Sequence, residues 1–294
     1  MEVTFWGTRG SIPVSGAKYV EFGGNTPCLS INLESTTDTV ILDSGSGIRE
    51  LGVRLLQTKA THSRVVHMFL THAHWDHIQG FPFFTPIYVP GFEITVYGER
   101  GFGKNLESLL VGQLDRDYFP VQREDLAAKI NFVFLDDKPV TIGGAKISRE
   151  YVQHPGATVG FKIEHDGWKV AFIPDNEFLQ GYTGSPVGLT RESDVVIPHE
   201  PVINFVEGVD LLIHEAQYLP ADYPKKIGWG HSNLASACAL TKLAGVKKWI
   251  AVHHDPDHDD TALHAKHNLT RQILTDLGHR IPFAHGYDGL IEYR

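Results

Sequence analysis

The chain has 294 residues, a formal net charge of −9, 42% hydrophobic and 21% charged residues. That composition excludes a disordered or fibrous chain. The acidic balance argues against a protein that coats nucleic acid or an anionic membrane, since both need a basic face. No stretch approaches the roughly 20 apolar residues of a membrane span. Two cysteines, Cys28 and Cys238, are too few for a disulfide framework and read as core residues. Met1–Gly10 lacks the pattern of a signal peptide, so a reducing cytoplasm is the expected compartment. The 17 histidines, several of them clustered near Asp, point to metal chemistry.

Short runs rich in Val, Ile and Phe, bounded by Gly, Pro, Asn or Asp, predict strands. In chain order they are Val3–Trp6, Leu29–Leu33, Thr39–Asp43, Val65–Thr71, Ile94–Tyr97 and Ile130–Leu135. Arg149–Gln153, Val159–Ile163, Lys169–Ile173, Leu211–His214 and Trp249–Val252 follow. Three stretches carry a helical period: Ile48–Lys59, Leu234–Ala244 before Gly245, and a third from Asp259–Thr261 to Leu277 before Gly278. Many strands follow one another directly, so a mixed-sheet α/β sandwich fits better than a doubly wound parallel sheet. No linker divides the sequence, and residues 1–294 read as one domain. Phe81–Gly91 and Asn176–Pro201 resist an assignment and are expected to form the walls or lid of a site.

The predicted strand Val65–Thr71 runs into His72-Ala73-His74-Trp75-Asp76-His77. Residues two apart in an extended segment point the same way, so His72 and His74 can grip one ion. Asp76 and His77 follow where the chain must turn and can grip a second. Imidazole with carboxylate is the ligand set of zinc and its first-row neighbours. Two ions sharing a water lower its pKa towards about 7, so no Ser or Cys nucleophile is required.

The His72-x-His74-x-Asp76-His77 run resembles the signature of the metallo-β-lactamase-fold hydrolases. The branch it is most similar to contains phosphodiesterases, tRNase Z and the carbon–phosphorus-lyase-associated phosphodiesterase. Phe5–Ser11, Ile41–Gly47, His154-Pro155-Gly156, Ile173-Pro174-Asp175, His214-Glu215-Ala216, Gly230-His231-Ser232 and His253–Pro256 carry the resemblance along nearly the whole length. It implies a four-layer αββα sandwich with mixed sheets and a binuclear site at one edge. It implies two divalent ions, zinc first, with manganese or iron as alternatives. His154 matches the third His of a set with His72 and His74, and Asp175 matches the bridging carboxylate. His253-His254-Asp255-Pro256 matches the last ligand, with His253 placed ahead of His254. Asp43 matches an Asp that orients a ligand from behind, and Glu215 is a candidate partner for His231. His231 matches a His beside the scissile phosphate, which donates a proton to the leaving alkoxide or stabilises charge on the phosphoryl oxygen, and Asp76 and His231 are counted as the catalytic pair. Ser232 is expected to cap the following helix. Gly7–Ser11, with Arg9, and Phe22–Thr26 are expected to be tight turns, with phosphate contact as the alternative.

The resemblance departs from tRNase Z at one point. That family inserts a tRNA-gripping arm between the third His and the bridging Asp, whereas His154 and Asp175 are 21 positions apart here. A small phosphodiester or cyclic nucleotide is therefore preferred over tRNA as substrate. Two other readings stay open: a hydrolase of the same fold acting on a thioester, ester or lactam, and a metal-holding sensor or interaction module. No membrane partner is expected, and a homo-oligomer is compatible with the sequence.

Overall fold

The computed structural model describes residues 1–57, 63–100 and 106–294. Two mixed sheets of seven strands each stack face to face. The first is built from β1 (Glu2–Gly7), β2 (Cys28–Asn32), β3 (Thr39–Leu42), β4 (Val65–Phe69), β5 (Glu93–Gly98), β6 (Lys129–Phe134) and β14 (Ile291–Tyr293). The second holds β7 (Val140–Ile142), β8 (Ala145–Tyr151), β9 (Val159–His165), β10 (Trp168–Ile173), β11 (Leu211–Glu215), β12 (Trp249–Val252) and β13 (Phe283–His285). The chain order in each sheet is β14-β1-β2-β3-β4-β5-β6 and β13-β12-β11-β10-β9-β8-β7.

Strand alternation explains the layers. Val40 and Leu42 face the second sheet, while Ile41 between them faces outward; Val170 and Phe172 pair with outward Ala171 and Ile173 in the same way. The inward sets of both sheets merge into one apolar cluster around Phe5, Phe69, Phe161 and Ile213. Helices cover the two outer faces. α1 (Ile48–Gln57), the single turn α2 (Trp75–Ile78) and α3 (Leu106–Val111) lie on the first sheet; α4 (Glu200–Phe205), α5 (Leu234–Leu243) and α6 (Asp260–Asp276) lie on the second. This is the expected αββα sandwich. Among the described residues no helix is long and apolar enough to cross a membrane.

The first helix is described over Ile48–Gln57, and its expected end at Lys59 lies outside the described residues. Several other local expectations change. The strand expected at Arg149–Gln153 is β8, ending at Tyr151, so His154 stands on a loop. β7, β13 and β14 have three residues each, too short for a sequence period to register. Phe81–Gly91 is no lid: Phe81, Phe84 and Ile87 are fully buried in the outer layer of the first sheet. Cys28 and Cys238 are buried, as expected.

In the parallel halves, β3 to β6 and β10 to β13, the carboxyl ends of the strands meet at one edge of the sandwich. Open α/β sheets place their ligands outside such ends. Asp43 follows β3, the His72–His77 run follows β4, Asp175 follows β10, Glu215 ends β11 and His253 follows β12.

Candidate metal centre

The strand ends bring the predicted side chains into two groups. Ligand atoms of His72, His74, His154 and Asp175 lie within 4.8 Å of one another, as do those of Asp76, His77 and His253. Asp175 joins them. Its Oδ2 is 3.6 Å from His72 Nε2 and 3.5 Å from His154 Nε2, while its Oδ1 is 3.2 Å from His77 Nε2 and 3.3 Å from His253 Nε2. Each oxygen thus faces a different group.

The imidazoles are locked from behind. His77 Nδ1–H donates to Asp43 Oδ2 at 2.8 Å. Asp43 also accepts the Thr71 hydroxyl, so the Thr71 oxygen is left to accept His72 Nδ1–H at 3.1 Å. His154 Nδ1–H donates to the Gly230 carbonyl at 2.7 Å, and His253 Nδ1–H to Gln217 Oε1 at 2.9 Å. In all four rings the proton is held outside and the Nε2 lone pair is turned inward, as in metal sites whose outer partners fix the tautomer. His72 Nε2, His77 Nε2 and Asp175 Oδ1 are buried with no hydrogen-bond partner. Buried lone pairs are seldom left orphaned, and this convergent set of nitrogen and carboxylate donors fits divalent metal ions.

Electrostatics agree with that chemistry. Burial holds His72 well below its usual range and His154 down to about 4, so both are neutral imidazoles, the form that binds metal. Burial would raise Asp175, but His253, His77, His72 and His154 outweigh it and hold the carboxyl well below its usual range. Burial likewise opposes a charge on His231, yet Glu215 and then Asp175 lift it to about 9. His231 Nδ1 is 3.1 Å from Glu215 Oε1 and 3.9 Å from Asp175 Oδ2.

Of the adjacent pair, His253 enters the cluster and His254 turns away to the Gly286 carbonyl at 2.8 Å. The turn between them is sharp, with His253 in the left-handed region at φ 55° and Asp43 likewise at 59°. Such backbone is costly for a non-glycine residue and concentrates at functional sites. Ser232 does not cap α5. Asn233 does, accepting from the amides of Ala235 and Ser236, while Ser232 Oγ donates to the Asn176 carbonyl and accepts the Phe178 amide. Arg9 is fully buried and donates through Nε and Nη1 to the carbonyls of Gly23, Asp255 and His258, so it clamps the opening loops.

Two residues escaped the sequence reading. Gln217 orients His253, and Lys266, itself buried, donates to the Gln217 carbonyl. Glu177 accepts the Tyr223 hydroxyl and the amides of Gly228 and Gly230, so it pins the lip that carries His231. Asn176–Pro201 therefore begins as a wall of the site. Both residues stand two positions beyond one already singled out, Glu215 and Asp175, and that spacing was the available signal.

Gly230 has φ +88°, and a Cβ there would overlap the His154 ring. Gly230→Ala is expected to add about 1–3 kcal/mol of backbone strain and to displace His154. Thermal unfolding checks the first effect and metal content the second.

Comparison with known proteins places this geometry. The beta-lactamase superfamily domain matches residues 38–254, well over half of the chain. Ribonuclease BN of Escherichia coli O6:K15:H31 (strain 536 / UPEC) is 26% identical, over 88% of this chain and 91% of its own. Ribonuclease Z of Staphylococcus carnosus (strain TM300) is 23% identical, over 86% of this chain and 88% of its own. The metallo-beta-lactamase fold protein YhfI from Bacillus subtilis superposes with a TM-score of 0.66 at 20% identity, covering 99% of this chain and 98% of its own. With the two stacked sheets and the His/Asp cluster at their edge, the match establishes that this chain belongs to the metallo-β-lactamase superfamily of metal-dependent hydrolases.

Proposed function

We propose that the chain is a binuclear phosphodiesterase acting on a small phosphodiester or cyclic nucleotide. His72, His74 and His154 would hold one ion and Asp76, His77 and His253 the other, with Asp175 shared between the two groups. The observation that carries this reading is the division of Asp175, one oxygen facing each group of imidazoles. When bound, two such ions polarise a phosphoryl oxygen and bring the pKa of water towards neutrality. The chain's own groups do the rest. Asp43 and Gln217 hold the rings of His77 and His253 in place. His231, charged through its contact with Glu215, gives a proton to the departing alkoxide.

Two observations favour a small substrate over tRNA, although relatives named ribonucleases are similar over most of the chain. β9 and β10 are joined by the two-residue turn Asp166-Gly167, which leaves no room for a gripping arm between His154 and Asp175. The net charge of −9 also opposes broad binding to a polyanion.

Metal-loaded protein is expected to contain about two ions per chain, zinc first, because six side chains and a bridging Asp exceed the needs of one tetrahedral ion. It is expected to cleave an activated phosphodiester with a higher kcat/KM than the matching monoester, thioester or lactam. Elemental analysis and this substrate panel check both. One ion per chain under excess metal rejects the binuclear reading, and faster thioester or lactam turnover rejects the phosphodiesterase reading.

A further inference from the structure

Three segments that carry groups of the site also carry a large apolar side chain that the fold leaves in solvent. Ile12 follows Ser11, whose amide donates to Asp76 at 2.8 Å. Trp75 stands between His74 and Asp76. Trp229 precedes Gly230, whose carbonyl accepts from His154. These three are 58%, 68% and 57% exposed. Single exposed apolar residues are ordinary, but here three separate segments each place one beside a group of the site. The two indole-bearing segments meet at a single ring: His154 Nε2 is 3.0 Å from His74 Nδ1, and its Nδ1 is on Gly230.

A cation completes the rim. The Lys226 ammonium lies 4.1 Å from the centroid of the Trp229 ring and 5.6 Å from that of Tyr218. Tyr218 in turn meets His231 edge-on at 5.9 Å. In a chain with an excess of acidic residues, this ammonium rests on aromatic faces one ring away from His231.

We propose that Trp75, Trp229 and Lys226 form a rim subsite for a planar aromatic group, a nucleobase, carried by the phosphodiester away from the scissile bond. The proposal rests on the phosphodiesterase reading above. Indole faces stack on any base, and stacking tolerates sequence because every base has a π-face. Lys226 covers one face of Trp229 and leaves the rest of the ring to a ligand, while its charge attracts the phosphate and adds cation–π attraction. An acyl chain would call for an enclosed apolar channel, whereas the rim offers flat faces open to water.

The test compares two diesters with the same leaving group on metal-loaded protein: thymidine 5′-(4-nitrophenyl) phosphate and methyl 4-nitrophenyl phosphate. Wild type is expected to prefer the thymidine compound by about tenfold or more in kcat/KM. Trp229→Ala and Trp75→Ala should each erase most of that preference through KM. Trp229→Phe and Trp75→Phe should retain most of it, with metal content unaltered. Tyr293→Ala, an exposed aromatic at the opposite end of the first sheet, should keep the preference intact. Equal turnover of the two diesters by wild type, or a preference that survives both alanine variants, overturns the subsite and leaves the phosphodiesterase reading standing. Turnover of neither diester overturns that reading, and binding then decides the subsite. Thymidine 5′-monophosphate should quench the indole fluorescence saturably in wild type and not in Trp229→Ala; absence of quenching in wild type overturns the subsite as well.

Discussion

Replacing His231 by Ala is expected to lower kcat on a diester with an alkoxide leaving group by about 10²–10⁴-fold, the usual contribution of a positioned general acid. Metal content should stay unchanged, because His231 stands outside the two groups that Asp175 joins, with its Nδ1 on Glu215. The deficit should shrink for a nitrophenolate leaving group, which departs without protonation. That contrast separates proton donation from a merely structural role, since a distorted site would slow both substrates alike. His231 also lies with Asp175 and His253 in a third cluster whose ligand atoms fall within 4.8 Å. Loss of an ion from His231→Ala would therefore make it a ligand, and near-wild-type turnover of the alkoxide substrate would reject its role altogether.

Asp175→Ala should be more severe. Asp175 is buried at the centre of five imidazoles, those of His72, His154, His77, His253 and His231, and its oxygens are divided between the two candidate ion positions. Without it neither position keeps its shared anionic ligand. Elemental analysis should find less than one ion per chain. Turnover should fall by at least about 10³-fold, since the charge stabilisation that such ions supply amounts to several kcal/mol. An Asp175→Ala protein that keeps both ions would reject the bridging assignment.

The parts of this site that were legible in the sequence are those whose geometry is local. His72, His74, Asp76 and His77 lie within one strand end and one turn, so their spacing alone placed them together. Asp43, Asp175, Glu215 and His253 were found through motif resemblance, and each stands at the end of a strand that the periodicity also predicted. What escaped depends on distant partners. Gln217 and Glu177 gain their roles only when α6 and the 223–230 lip pack against the second sheet. Arg9 reads as a free cation in a Gly-rich turn until three carbonyls from remote loops enclose it. Ser232 and Asn233 are both good capping residues, and the choice between them was made by Asn176, whose carbonyl takes the serine hydroxyl.

Both candidate ligand groups straddle the seam of the sandwich. His72, His74, Asp76 and His77 hang from the first sheet, whereas His154, Asp175 and His253 hang from the second. Metal occupancy is therefore coupled to the docking of one sheet on the other. A ligand that binds the native but not the unfolded chain adds RT ln(1 + [L]/Kd), about 4 kcal/mol at a thousandfold excess over Kd. Most single substitutions remove less than that. Bound metal would thus raise the number of mutations this chain tolerates far from its active site. Core replacements in either sheet that are silent in the metal-loaded protein are expected to unfold the metal-free one.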